Sequence, residues 1–321
     1  MVSLDTVSIG ILFGALLVLA GMLSSLVALR FGAPLLLVFL VVGMLASEPG
    51  VIGQFDDVRA AYIVGSVALA LILFDGGLRT RFSTFRSVLA PSLVLATVGV
   101  LLTAALTAPI AHLALGIGWI ESLLVGSVIA STDAAAVFFL VHARGLRLRP
   151  RVGATLEIES GTNDPFAIFL TILLVEILLF GPQPWSVIAT GFLAKALGGA
   201  IIGILGGRGI VLVLNRLALP QGLHAPFVTT GAVVVFGLAE AVHSSGFLAV
   251  YVAGLVVGNR PTRAHNTVVV FLDAATWLAQ IGMFLLLGLL ASPERLPQHA
   301  LPGLAIALGL MLIARPLAVF L

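Results

Sequence analysis

The segment LEIESGTNDPFAIFL, residues 156–170, sets Glu157, Glu159, Ser160, Asn163 and Asp164 at the head of an apolar run long enough to enter a bilayer. On a helix, side chains four residues apart share a face, so Ser160 stacks over Asp164 and Glu159 over Asn163 in two adjacent polar stripes. Pro165 follows at once. It has no N–H for the carbonyl of Gly161 and its ring crowds that carbonyl, which is thereby released beside Asp164. The expected product is a small oxygen-rich pocket inside a membrane.

The rest of the chain provides the membrane. Of 321 residues, 60% are hydrophobic and 9% charged, and the mean hydropathy is +1.21, which marks an all-α polytopic membrane protein. The apolar runs are continuous and not alternating, so they read as helices and not as strands of a barrel. Eleven are expected, at 7–29, 33–48, 60–79, 87–111, 119–141, 153–179, 189–215, 224–242, 247–258, 268–291 and 301–321. The second and ninth are short and glycine-rich, as in a tilted or broken segment. The formal charge is only +2 and the arginines lie in loops at the membrane edge, so a nucleic-acid partner is not expected. The chain has no cysteine, which excludes disulfides and thiolate metal sites. Its start carries no basic stretch ahead of the first apolar run, so that run is expected to be retained.

Charge orients the spans. Eleven arginines (30, 79, 81, 86, 144, 147, 149, 151, 216, 260 and 263) fall in the odd-numbered loops, against Arg59 and Arg295 in the even ones. The positive-inside rule then puts the odd loops in the cytoplasm and the N-terminus outside. At about 1.5 Å of rise per residue, Asp164 lies roughly 16 Å and Thr132 with Asp133 roughly 15 Å from the cytoplasmic side, near one level at the midplane. Glu159 and Arg315 are each roughly 9 Å deep and are placed to pair.

Within the fifth span, GSVIASTDAAAV (126–137) interrupts small apolar residues with Ser131, Thr132 and Asp133. These are good helix N-caps, so a local break with a new half-helix is expected. The plainer reading, hydroxyls bonded back to their own helix, is weakened by the neighbouring carboxylate. For Asp164 the plainer reading is a structural aspartate satisfied by Ser160 and Asn163. The functional one is a carboxylate in low dielectric that holds either a proton or an alkali ion, so that competition for it is exchange. Ser160, Thr132 and the Gly161 carbonyl supply the oxygens a hard monovalent cation needs. Glu159 and Arg315 read as a structural ion pair, since either alone is an uncompensated charge. Asp75, in LFDGGL, reads equally as a cytoplasmic funnel residue or an interfacial cap. Lys195 and Glu176 read as snorkelling or mutually paired, while Glu240, His243, His224 and Asp273 are expected at wet edges. Gly198, Gly199, Gly203, Gly206 and Gly207 read as a close-packing helix face.

The motifs STDAAAVF, LEIESGTNDPFAIF, LAVYVAGLVVGNRP, WLAQIGMFLLLGLL and ARPLAVF together resemble the monovalent cation/proton antiporters of the NhaP type, within them the bacterial potassium/proton (CvrA-like) branch, over the whole chain. The resemblance implies an inverted-repeat fold of thirteen helices with discontinuous helices, a six-helix ion-carrying core beside a dimerisation domain, and alternating access by movement of the core. It implies Asp164 as ion and proton carrier, Thr132 and Ser160 as ligands, Asn163 and Asp133 holding the crossing of broken helices, and Glu159 with Arg315 as the structural pair. Asn163 in place of a second aspartate is similar to the electroneutral branch. K+ or Na+ and H+ are the implied partners, with a homodimer in a bacterial inner membrane, lipid around it and no cofactor. Members continue with two more spans, the first of which crosses the fifth. This chain stops at Leu321, so the 1–321 antiporter domain is expected to lack the last helices and the cytosolic regions. Two rival readings stay open: a cation channel, although no charged ring or filter is evident, and a membrane-embedded aspartyl protease, although a second catalytic carboxylate and a GxGD pattern are missing.

Overall fold

A backbone inside hydrocarbon has no water to satisfy its polar groups, so each segment must close its own hydrogen bonds, and these apolar runs do so as helices. The computed structural model describes residues 4–31, 35–47, 57–132, 137, 141, 148–182 and 184–320. Among them the chain forms α1 (Leu4–Phe31), α2 (Leu35–Ala46), α3 (Val58–Arg79), α4 (Phe82–Val94), α5 (Val100–Leu115), α6 (Trp119–Ile129), α7 (Pro150–Phe180), α8 (Trp185–Arg216), α9 (His224–Ala241), α10 (Gly246–Gly258), α11 (His265–Leu290), α12 (Leu296–Gly309) and α13 (Arg315–Phe320), with no strand among the described residues. Wide π-helical turns, Leu95–Gly99 and Leu310–Ala314, join α4 to α5 and α12 to α13 into single stretches. The second is followed by Pro316, whose missing N–H would have paired with Leu312 inside the turn. Among the described residues, seven stretches are long and apolar enough to cross a membrane and four shorter apolar helices accompany them, one for each of the eleven expected segments.

The helices pack in two groups. In one, α3, α8, α9, α10 and α11 share a core that includes Phe74, Leu214, Val228, Val250 and Leu272, and α2 joins through Phe39 against Ile281 and Leu285. In the other, α4 to α7 pack together around Val100, Ala104, Ala130 and Ala167 and around Val88 and Ile158, with α12 and α13 against α5.

The short α10 is buried between α3 and α8, which removes any need to span lipid by itself. Its start is capped by Ser245 Oγ, which accepts from Leu248 N at 3.3 Å, and by Glu240, whose Oε1 accepts from Gly246 N at 2.9 Å. At its end Asn259 donates to the carbonyls of Thr80 and Leu255 and accepts from Phe82 N, which ties the helix to the corner between α3 and α4. The glycine face of α8 is the close-packing surface its spacing implies: a Cβ at Gly199 would stand 2.6 Å from the Ser245 carbonyl and one at Gly207 2.8 Å from that of Ala253. On the other side of α10, a Cβ at Gly254 would overlap the Phe74 carbonyl.

Candidate functional site

The fifth apolar run breaks where its polar residues begin. Helix α6 ends at Ile129, and Ala130, Ser131 and Thr132 are non-helical. Three polar residue types in succession offer the backbone local hydrogen bonds that compete with the helix ladder. The break aims consecutive residues at α7, and α6 is held there by Ser127 Oγ, 3.0 Å from Thr171 Oγ1. Asp133 lies outside the described residues.

Along α7 the two polar stripes differ in burial as their spacing implies. Glu159 and Asn163 are sealed, 1% and 0% exposed, while Ser160 and Asp164 are half-buried. The helix runs unbroken through Pro165. Gly161 faces the other helix group: a Cβ there would stand 2.7 Å from Cε2 of Tyr251 on α10.

The hydrogen bonds join what the spacing separates. Ser160 Oγ donates to the Thr132 carbonyl at 2.8 Å. Asn163 Nδ2 donates to Thr132 Oγ1 at 2.8 Å, and that hydroxyl points its own proton at Glu159 Oε1, 3.4 Å away. Ser131 Oγ lies 3.0 Å from Asn163 Oδ1 and also contacts Asp164 Oδ1. Glu159 Oε1 accepts from Arg315 Nη2, which brings α13 onto α7. A chain of polar contacts therefore runs from Asp164 through Ser131, Asn163 and Thr132 to the Glu159–Arg315 pair. Arg315 Nη1 is buried with no hydrogen-bond partner among the described residues.

Asp75 sits apart, in the first helix group. It is 7% exposed, its Oδ2 accepts from Arg79 Nε at 2.9 Å, and Arg79 Nη2 reaches Asp273 Oδ1 on α11 at 2.8 Å. Lys195 and Glu176 are 3.8 Å apart. Of the residues expected at wet edges, His224 is instead buried, at the head of α9 beside Ala225 and Val228.

Two participants escape a reading by spacing. Ser131 reads as part of the helix break, yet its hydroxyl reaches Asp164 directly; its place next to Thr132 was the available signal. Tyr251 carries no charge and lies ninety residues from Gly161 in sequence, so nothing local announces their contact.

Residues 14–321 match the profile of the family described as "Sodium/hydrogen exchanger, transmembrane". The K(+)/H(+) antiporter NhaP2 of Shewanella sp. (strain ANA-3) is 45% identical over 320 residues, which is 99% of this chain and 55% of that protein. The K(+)/H(+) antiporter NhaP of Alkalimonas amylolytica is 43% identical over 99% of this chain and 56% of its own length. The chain thus spans about half the length of these curated relatives. Among solved structures, the sodium proton antiporter MjNhaP1 of Methanocaldococcus jannaschii superposes with a TM-score of 0.85 at 25% identity, over 98% of this chain and 78% of that one.

Proposed function

The chain belongs to the sodium/hydrogen exchanger family of transmembrane proteins, and from that premise we propose that the protein exchanges a monovalent cation, potassium first and sodium second, for a proton. The observation that carries the reading is Asp164, a half-buried carboxylate on a long apolar helix, set against the broken backbone at Ser131 and Thr132.

One carboxylate in low dielectric holds a proton or a cation, and each displaces the other. The cation takes Asp164, with Ser160 Oγ, Thr132 and the Gly161 carbonyl as further oxygen ligands. Ser160 suits this role because its hydroxyl donates to the Thr132 carbonyl and so holds its oxygen at the broken backbone beside Asp164. Asn163, Asp133 and the Glu159–Arg315 pair hold the crossing in shape. Because Asn163 is neutral, Asp164 is the only negative charge of the carrier pair, and loading it with one proton or one cation leaves the same net charge. Exchange is therefore electroneutral.

The division into two helix groups supports movement. The group bearing Asp164 slides past the other along the Gly161–Tyr251 seam and exposes the carboxylate to each side in turn. Asp75 attracts cations at the cytoplasmic mouth only when Arg79 releases it. The protein is a homodimer in a bacterial inner membrane with its N-terminus outside, a placement that rests on the arginine bias of the loops. It is a transporter and not an enzyme, and residues 1–321 belong to its antiporter domain.

Proton flux in proteoliposomes, driven in turn by potassium and sodium gradients, tests the proposal. Exchange moves protons only when a cation gradient is imposed. Cation flux without coupled protons would identify a channel, and cleavage of a helical reporter a protease.

A further inference from the structure

We propose that Ser131 is a positioning residue of the exchange site, a hydroxyl whose single proton is shared between Asp164 and Asn163 and changes acceptor when the cation binds. The inference rests on the exchange reading above and deepens it.

Ser131 Oγ contacts Asp164 Oδ1 and lies 3.0 Å from Asn163 Oδ1. A serine hydroxyl has one proton, so it donates to one of these oxygens at a time. Asn163 is not free to adapt. It is fully buried, and its Nδ2 is given to Thr132 Oγ1 at 2.8 Å, which fixes the amide so that Oδ1 always faces Ser131. Asp164 is the half-buried partner. When a cation takes Asp164 Oδ1, rotation about the Ser131 Cβ–Oγ bond moves the proton to Asn163 Oδ1 and turns a lone pair towards the ion. No hydrogen bond is lost in the exchange of partners, and the carboxylate is held in place until the ion arrives. Thr132 and Ser160 are placed differently, since the Ser160 hydroxyl donates to a backbone carbonyl and that of Thr132 to Glu159 Oε1, and neither proton is directed at Asp164.

Removing the hydroxyl takes a donor from Asp164 before the ion arrives and from the buried Asn163 oxygen after it has bound, so the ion meets a less ordered carboxylate and a costlier bound state. The test measures exchange in proteoliposomes of the full-length protein against potassium and sodium concentration, for Ser131→Ala and Ser131→Thr. Ser131→Ala is expected to raise the half-saturating cation concentration by about tenfold and to lower the maximal rate by less than about threefold. Ser131→Thr, which keeps the hydroxyl, is expected to return the half-saturating concentration to within about threefold of the unmutated protein. Where Ser131→Ala does not accumulate in the membrane, Ser131→Cys supplies the comparison, as a thiol of similar size but weaker donor strength, with an intermediate shift expected. An unshifted Ser131→Ala or Ser131→Cys, or a Ser131→Thr as impaired as Ser131→Ala, would overturn the role of Ser131 alone. Absence of exchange by the unmutated protein would overturn the exchange reading on which it stands.

Discussion

Gly161 lies against the ring of Tyr251, so close that a Cβ at position 161 would stand 2.7 Å from Cε2 and 3.1 Å from the hydroxyl oxygen. The contact joins α7, which carries Asp164, to α10, which is locked into the other helix group. Tyr251 is 3% exposed, so its ring has little room to turn away. Gly161→Ala is expected to destabilise the protein by about 1–3 kcal/mol through overpacking, and to slow exchange by obstructing the seam. Tyr251→Leu in the same chain should relieve both effects. A double-mutant cycle on thermal unfolding and on exchange rate measures the coupling; strictly additive effects would show that the two residues do not meet in the working protein.

Asp164 is expected to be indispensable. Asp164→Asn keeps the volume and a hydrogen-bonding group beside Ser131 but holds neither a transferable proton nor a cation. Exchange should be abolished while the protein still folds and its thermal unfolding stays cooperative. Normal exchange by this variant would end the single-carrier mechanism.

Arg315 and Glu159 should behave as structure. Glu159 is 1% exposed, so Arg315→Ala strands a buried carboxylate, at a cost of about 3–5 kcal/mol. Adding Glu159→Gln removes that charge and should recover part of the loss. Thermal unfolding of the two variants decides the point. A stable Arg315→Ala protein with selectively altered cation affinity would move the pair from scaffold to ligand set.

Periodicity and composition delivered the eleven segments because a bilayer imposes length and apolarity on each one separately. The stripe of Glu159 and Asn163 was legible for the same local reason, since four-residue spacing fixes facing along one helix. Contacts between elements were less legible. That Ser131 touches Asp164 depends on where α6 breaks and how its end is aimed, and a run of good cap residues predicts the break but not the aim. Asp75 shows the limit differently: LFDGGLR holds its partner Arg79 four residues on, yet the second half of that bridge, Asp273, belongs to α11 and is fixed by packing alone.

Packing at α10 gives a contrast between two glycines. A Cβ at Gly254 would overlap the Phe74 backbone carbonyl on α3, and a backbone atom on a buried helix cannot give way cheaply. Gly254→Ala should destabilise by about 1–3 kcal/mol or more. A Cβ at Gly237 on α9 meets nothing within 4 Å. There the substitution should be neutral or stabilise by up to about 1 kcal/mol, because alanine loses less backbone freedom in a helix. Thermal unfolding of the two variants side by side separates the effect of close approach from that of helix propensity.

Asn163 bears on the electrical character of transport. It is fully buried, its amide faces Ser131 with its oxygen and donates to Thr132 with its nitrogen, and it carries no charge beside Asp164. The moving unit therefore crosses with Asp164 neutralised once, by a proton in one direction and a cation in the other. A membrane potential does equal work on both half-cycles and cannot bias the sum. Exchange rates measured with the potential clamped at zero and at about 100 mV of either sign, where each net charge moved would be worth about 2.3 kcal/mol, are expected to coincide. A rate that follows the potential would mean that a second charge moves with the site.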